Sequence, residues 1–271
     1  MSDLWAGLCD APVYALTSDQ DWAPEWALER LLEHAQAAGT PLHVFRTNPS
    51  PVLDAAAAAE EITQGWHPNF LPGSTHGATT EEVLAACRAL VPQARTARSH
   101  CFREDTLTLR ALAAAGIAVD SQPASMFQPG LVPLLHESGI LRLPVFFEDD
   151  LFFRWLTPDL DLAPVLATLG SPGLKILNVH ATFFACNVPS DAFYEQVRGR
   201  VFGSQAAAEG VVHSGRGTAD ALRELTAAVH AAGASFTSFE QLVSDVLARV
   251  AAQRAELPPP FGTLGLSRPG S

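Results

Sequence analysis

The sequence predicts an α/β fold on a parallel sheet, closed or nearly closed, and three observations point to it. Short apolar, β-prone runs alternate with helical segments through the whole chain. The residues able to do chemistry fall where the predicted strands end: Asp19 and Asp21, His67, Arg98 and His100, Asp120, Glu148 to Asp150, and His180. In parallel α/β architectures those ends share one face, and that face holds the site. The third observation is size: 271 residues with 48% hydrophobic content suffice for one large core, and barrels of alternating strands and helices reach this length as one unit. A single domain over 1–256 is expected, with 257–271 as a Pro/Gly-rich tail.

Taken in order, Val13–Thr17 is a buried strand that runs into the acids of Ser18-Asp19-Gln20-Asp21-Trp22. Pro24 opens a helix from Glu25 to about Ala38, and Gly39 closes it. Leu42–Thr47 is a second strand, and a helix from Val52 to Ile62 includes the alanine run 55–59. Thr79-Thr80-Glu81-Glu82 has the pattern of a capping box at the head of a helix that ends near Pro92. Strands follow at Ala94–Arg98, Ile117–Val119, Ile140–Phe147 and Leu174–Val179, with a helix at Glu104–Ala115. The remainder reads as helices near Asp191–Arg198, Thr218–Ala232 and Ser238–Ala251, with a short strand at Ala234–Thr237.

The bulk composition excludes several classes. Net charge is −12 and no basic stripe occurs, so a nucleic-acid partner is not expected. Cys9, Cys87, Cys101 and Cys186 are scattered without a CxxC pair, a pattern of reduced thiols in a cytoplasmic protein. Met1-Ser2-Asp3-Leu4-Trp5 lacks a basic run followed by an apolar one, so no secretory signal is expected, and no apolar stretch approaches the roughly 18 residues of a membrane span.

One stretch is shaped for display and not for packing: Trp66-His67-Pro68-Asn69-Phe70-Leu71-Pro72-Gly73-Ser74-Thr75-His76-Gly77. Its prolines and glycines forbid a regular helix. A lone acid after a strand is more often a helix N-cap than a catalyst, but six strand ends carrying acids, histidines or arginine outrun that explanation. One carboxylate with two imidazoles makes a three-ligand site for Zn²⁺ or a similar ion and leaves room for water. A second carboxylate two residues away could act as base, with an arginine nearby to favour its charged form. A separate histidine could protonate a leaving amine. That inventory is complete for hydrolysing an amide or ester.

These residues resemble the motifs of the polysaccharide deacetylase superfamily, the NodB-homology carbohydrate esterases. Thr17-Ser18-Asp19-Gln20-Asp21 is similar to the first motif, Gly65-Trp66-His67 to the start of the second and Arg98-Ser99-His100-Cys101-Phe102 to the third. Gly116–Ser121 resembles the Gly-x-x-x-Asp-Ser strand that follows the third. Leu177-Asn178-Val179-His180 resembles the fifth motif, and Ala234–Phe239 the last short strand. The resemblance implies an irregular (β/α) barrel of about seven parallel strands, a divalent metal, most often Zn²⁺, and removal of acetyl groups from N-acetylated sugars or glycan precursors. It implies Asp19 as base, Arg98 as its partner, His180 as acid, and Asp21 and His67 as metal ligands. The Trp-His-Pro-Asn-Phe-Leu-Pro-Gly form of the second motif resembles a branch tied to surface-polysaccharide (O-antigen-type) biosynthesis.

Two departures leave alternatives open. The family's second motif places two histidines four apart, but position 71 is leucine. His76 is therefore the expected third ligand, with Asn69 as the alternative. His100 stands where the third motif has proline, as a substrate contact, a helper near Asp19 or a polar filler. Asp149 or Asp150 could orient His180, and Asp149 is also placed at the substrate wall. Trp22 and Trp66 could stack on a sugar face or belong to the core. Two other functions fit the chain: a catalytically silent barrel that binds glycans or serves as a scaffold, and a metal-dependent amidohydrolase acting on a small amide.

Overall fold

In a computed structural model describing residues 4–155, 160–203 and 210–256, the sheet is built around strand β1 (Pro12–Asp19). Six of its eight residues are buried, which suits a strand covered on both faces. It runs parallel to β2 (Leu42–Arg46) on one side and β9 (Gly173–His180) on the other. Between these in sequence lie β3 (Ile62–Trp66), β4 (Thr96–Ala97), β5 (Val119–Asp120), β6 (Leu134–Leu135), β7 (Leu141–Arg142) and β8 (Val145–Glu148). The order across the sheet is β6-β7-β5-β4-β3-β2-β1-β9-β8.

Nine strands stand where about seven were expected, and the surplus has a local cause. β6 is a short antiparallel addition to β7. The predicted run Ile140–Phe147 is split into β7 and β8 at Leu143-Pro144, where proline has no N–H for the ladder. The segment after β5 runs along β8, with Ser125 N–H donating to Val145 O (2.8 Å) and Phe127 N–H to Phe146 O (2.9 Å). These bonds draw the two ends of the sheet together and curl it.

The helices are α1 (Glu25–Ala37), α2 (Pro51–Ala58), α3 (Thr80–Leu90), α4 (Thr106–Ala114), α5 (Asp149–Trp155), α6 (Ala163–Leu169), α7 (Ala181–Cys186), α8 (Asp191–Val201), α9 (Thr218–Ala231) and α10 (Phe239–Glu256). Thr79 and Glu82 form the expected capping box at α3. The predicted second helix stops short: Ala58 ends it and Ile62 starts β3, a strand that the Ala-rich pattern hid. Helices α5, α6 and α7 were not anticipated, and the strand expected at Ala234–Thr237 is a single bridge from Phe236 to Tyr14. The expected tail, 257–271, lies outside the described residues. Among the described residues no helix is long and apolar enough to cross a membrane.

Two buried features fix the strands below the site. A Cβ on Gly65 in β3 would lie 2.4 Å from Thr96 Oγ1 and 2.8 Å from His43 Nε2, so β3 can approach β4 this closely only with glycine there. His43 in β2 is fully buried, with Nδ1 2.7 Å from Thr63 Oγ1 and Nε2 3.1 Å from Thr96 Oγ1. Burial, and then the charge of Arg98, push its pKa down to about 3. The unfolded chain, with an ordinary histidine near pH 6.5, therefore takes up the proton first. The stability this side chain contributes is complete above that pH and is lost as pH falls towards 3. Urea midpoints from pH 7 to pH 4 are expected to fall more steeply for the parent protein than for His43→Gln; parallel slopes would refute the assignment.

Candidate active site

The C-terminal ends of β1, β3, β4, β8 and β9 converge, and each delivers at least one group. Asp19 closes β1 opposite His180 at the end of β9. The chain then leaves the strand: Asp21 and Trp22 have φ of 45° and 57°, the left-handed region. Asp21 thus reaches the site from a tight turn beyond the strand. Asp21 N–H donates to Thr47 Oγ1 (3.2 Å), which anchors the turn. His67 follows β3 with its N–H on Arg46 O (2.9 Å), and His100 opens a 3₁₀ turn (His100–Phe102) with its N–H on Pro68 O (2.9 Å).

Asp21, His67 and His100 meet at one point. Asp21 Oδ1 is 2.9 Å from both His67 Nε2 and His100 Nδ1. Their ligating atoms all lie within 4.8 Å of one another. Burial works to raise the Asp21 pKa, but the close approach of the His100, His180 and His67 rings holds it well below the usual carboxylate range. For His100, burial works downward and is outweighed by Asp21, so the imidazole is pushed up to about 10. The edge of Trp22 packs on the His100 ring with centroids 5.2 Å apart.

The set suits a divalent cation on more than its composition. Both ring nitrogens of His67 are buried without a hydrogen-bond partner. Its Nε2 approaches Asp21 Oδ1 closely, yet outside hydrogen-bond alignment. Two groups aimed at a shared point, and not at each other, are what co-ligands of one ion present.

His76 is not in this set. Its Nδ1 accepts the Asn69 N–H (3.2 Å) and its Nε2 donates to Thr47 O (2.6 Å). The loop does fold back through Gly73 (φ 80°), but the fold seats the ring on Thr47, the residue that also accepts the Asp21 N–H, outside the cluster of Asp21, His67 and His100. Burial lowers its pKa, consistent with a neutral ring that accepts at one nitrogen and donates at the other. Asn69, the alternative ligand, is buried, and its Oδ1 accepts the Leu71 N–H (3.0 Å). Trp66 is 1% exposed, packs in the core around Ile117 and Ile140, and donates its indole N–H to Val91 O (2.8 Å). Neither side chain faces the cavity.

Arg98 is fully buried beside Asp19. Its Nη1 donates to Asp19 Oδ1 (3.0 Å), Thr17 Oγ1 (3.0 Å) and, at short range, Asn178 Oδ1, while Nε and Nη2 bond Ser121 O (2.7 Å) and Oγ (2.8 Å). Asn178 then donates from Nδ2 to Asp19 Oδ2 (3.0 Å) and to Glu148 Oε2 (2.8 Å). Glu148 is 1% exposed, and burial raises its pKa well above the ordinary value. The reading of the motifs assigned no role to Asn178, and named Glu148 only among the strand-end acids. A signal existed for the first: Asn178 lies two residues before His180, on the same face of β9.

His180 offers Nδ1–H to Asp149 Oδ1 (2.7 Å), and its own backbone N–H bonds Asp149 Oδ2 (2.8 Å). Burial works to lower the pKa of His180, but the charge of Asp149 and contact with Asp21 carry it well above 6.5. Asp149 is 1% exposed and committed to this pair, so it sits behind His180 and does not line the cavity; Asp150 instead pairs with Arg154 (2.8 Å). The predicted acid Asp120 is buried and paired with Arg142 (3.1 Å), away from these groups. The cavity in front is about 170 Å³ and is lined by Asp19, Asp21, His67, His100, Glu148 and His180, with Phe102, Leu151 and Arg154 at its sides.

The profile of the WbmS-like polysaccharide deacetylase family matches residues 16–198, a span that includes every one of these groups. The chain belongs to that family. For a WbmS-like polysaccharide deacetylase, the family's activity is deacetylation and its substrate a polysaccharide. A crystal structure from Bordetella bronchiseptica, of a polysaccharide deacetylase described as involved in O-antigen biosynthesis, is similar over 79% of this chain and 89% of its own, with 24% identity and a TM-score of 0.70. A polysaccharide deacetylase from Mycobacterium smegmatis is similar over 97% of this chain and 96% of its own, with 17% identity and a TM-score of 0.52. At these identities the likeness is one of fold: a curled, mainly parallel sheet flanked by helices. No curated protein sequence matches the chain.

Proposed function

We propose that this WbmS-like polysaccharide deacetylase is a metal-dependent hydrolase that removes acetyl from an N-acetylated sugar. The observation that carries the proposal is the convergence of Asp21, His67 and His100 within reach of Asp19 on one side and His180 on the other. A divalent cation such as Zn²⁺, held by those three residues, would polarise the acetyl carbonyl and acidify a water.

The chain's own groups supply the proton traffic. Asp19, held by Arg98 and Asn178, takes a proton from the attacking water. His180 is fixed by Asp149 at Nδ1, which leaves Nε2 facing the cavity to protonate the departing amine. The C–N bond breaks, acetate leaves with the water's oxygen, and the free amine stays on the sugar. The narrow cavity limits the water that can reach these groups.

The test is metal content and acetate release measured on the same purified protein. One equivalent of bound Zn²⁺ or Co²⁺ and acetate release from an N-acetylated glycan are expected. His100→Ala is expected to weaken metal binding by more than tenfold, and His76→Ala by much less, because its ring only braces the loop. Absence of stoichiometric metal after reconstitution would instead favour a silent, glycan-binding barrel, and equal losses in the two variants would return His76 to the ligand set.

A further inference from the structure

Another cavity, of about 520 Å³, lies on the flank of the fold, walled by α1 and α9 and floored by the end of α7. It shares no lining residue with the catalytic cavity. Its volume is within the roughly 300–1,000 Å³ of ordinary small-molecule sites. The lining is basic in a chain of net charge −12. Arg30 and His34 come from α1, Arg223 from α9 and His213 from the loop before it, against a single carboxylate, Glu33.

Phe184 and Ala185 gather three of these groups. The Arg223 guanidinium lies over the Phe184 ring (5.4 Å to its centroid), and the His34 ring packs on it with centroids 5.0 Å apart. Arg30 donates from Nη1 to Ala185 O (3.0 Å), which anchors its guanidinium one residue further along. Arg30 is half-buried, yet it has no carboxylate partner among the described residues. A cation kept from water without a counter-charge is costly, and an anionic ligand removes that cost. Arg223 pairs with Asp220 through Nη1 (3.2 Å), which leaves its Nε and Nη2 to a ligand. His34 Nε2 is buried and bonded to nothing among the described residues. Burial, and then the charge of Arg223, lower the pKa of this ring, so at pH 7 it is neutral with one N–H to donate. Glu33 is exposed and pairs with none of these cations.

We propose that this cavity binds the phosphate group of a small soluble molecule. Guanidiniums from two different helices, with an imidazole donor between them, match both the charge of a phosphate and its several acceptor oxygens. The start of α9 does not contribute, because Asn187 Oδ1 already accepts the N–H groups of Ala219 and Asp220 (3.1 and 3.4 Å). Recognition therefore rests on the side chains. A volume of about 520 Å³ exceeds what one phosphate fills, so the ligand carries an organic portion or a second phosphoryl group. A bilayer is disfavoured as the source of that phosphate: the chain is acidic, and Glu29 and Glu33 stand exposed on α1. Binding here is independent of the chemistry in the catalytic cavity.

The test is calorimetric titration of the metal-loaded protein with pyrophosphate, with ADP and with succinate, beside the double variant Arg30→Gln/Arg223→Gln. Both phosphates are expected to bind the parent, and succinate at least tenfold more weakly. The double variant is expected to lose at least tenfold in affinity for both phosphates while keeping its metal and its urea midpoint. Phosphates also ligate metal ions, so the titration is repeated on Asp21→Ala, where binding is expected to persist. No binding to the parent overturns the site, as does equal binding to the double variant, loss of binding in Asp21→Ala, or succinate held as tightly as the phosphates. Sedimentation of the protein with vesicles of phosphatidic acid in phosphatidylcholine overturns the soluble source. Should the double variant unfold, tungstate soaked into crystals of the parent decides: an anomalous peak between Arg30 and Arg223 supports the site, and no peak there overturns it.

Discussion

Asp19→Asn is expected to retain the metal and to lower turnover by about 10²- to 10⁴-fold, the usual range for losing a positioned base. Asparagine has the shape of aspartate, and its oxygen can still accept from Arg98, so the fold around it should persist. What it lacks is the lone pair that takes the water's proton. Asp21→Ala should behave oppositely: its carboxylate is the oxygen that meets both imidazoles, so metal and activity should disappear together. Plasma emission analysis of metal content, beside acetate release, separates the two. If Asp19→Asn turns over within tenfold of the parent, Asp19 is not the base.

The second large effect belongs to Arg98→Met. This guanidinium is fully buried, lies over the Phe45 ring at 4.4 Å and bonds Asp19, Thr17, Asn178 and Ser121. Methionine fills much of the same volume but leaves Asp19, which is 4% exposed, without its cation. Breaking a buried pair on one side costs about 3–5 kcal/mol. Urea unfolding should show a loss of that order, and adding Asp19→Asn to Arg98→Met should return part of it because the stranded charge is gone. A loss under about 1 kcal/mol, or strictly additive effects, would mean that Arg98 is not what balances Asp19.

The groups whose meeting was legible in the sequence are tied to strand ends. Asp19, Arg98 and His180 could be located because a parallel sheet sends such ends to one face, whatever the loops do. His76 against His100 could not be decided that way. Both sit in irregular chain, and only the seat of the His76 ring on Thr47 shows that it is spoken for. Trp66, which adjoins His67, was open to both readings, sugar platform or core; successive side chains of a strand face opposite ways, and that alternation sends the indole into the core. β3 was missed because Ile62-Thr63-Gln64-Gly65-Trp66 follows an alanine run that favours helix, and five residues give periodicity little to work with. Asn178 was visible only as a letter inside a motif. Its role depends on contact with two acids, one 159 and one 30 positions away.

Asp19 and His180 occupy facing rungs of neighbouring parallel strands, whereas Asp21, His67 and His100 hang from turns. In the proposed reaction, the distance between the group that receives a proton and the group that returns one is therefore set by the ladder itself. On that reading, cation affinity is open to retuning through loop changes that leave this interval untouched.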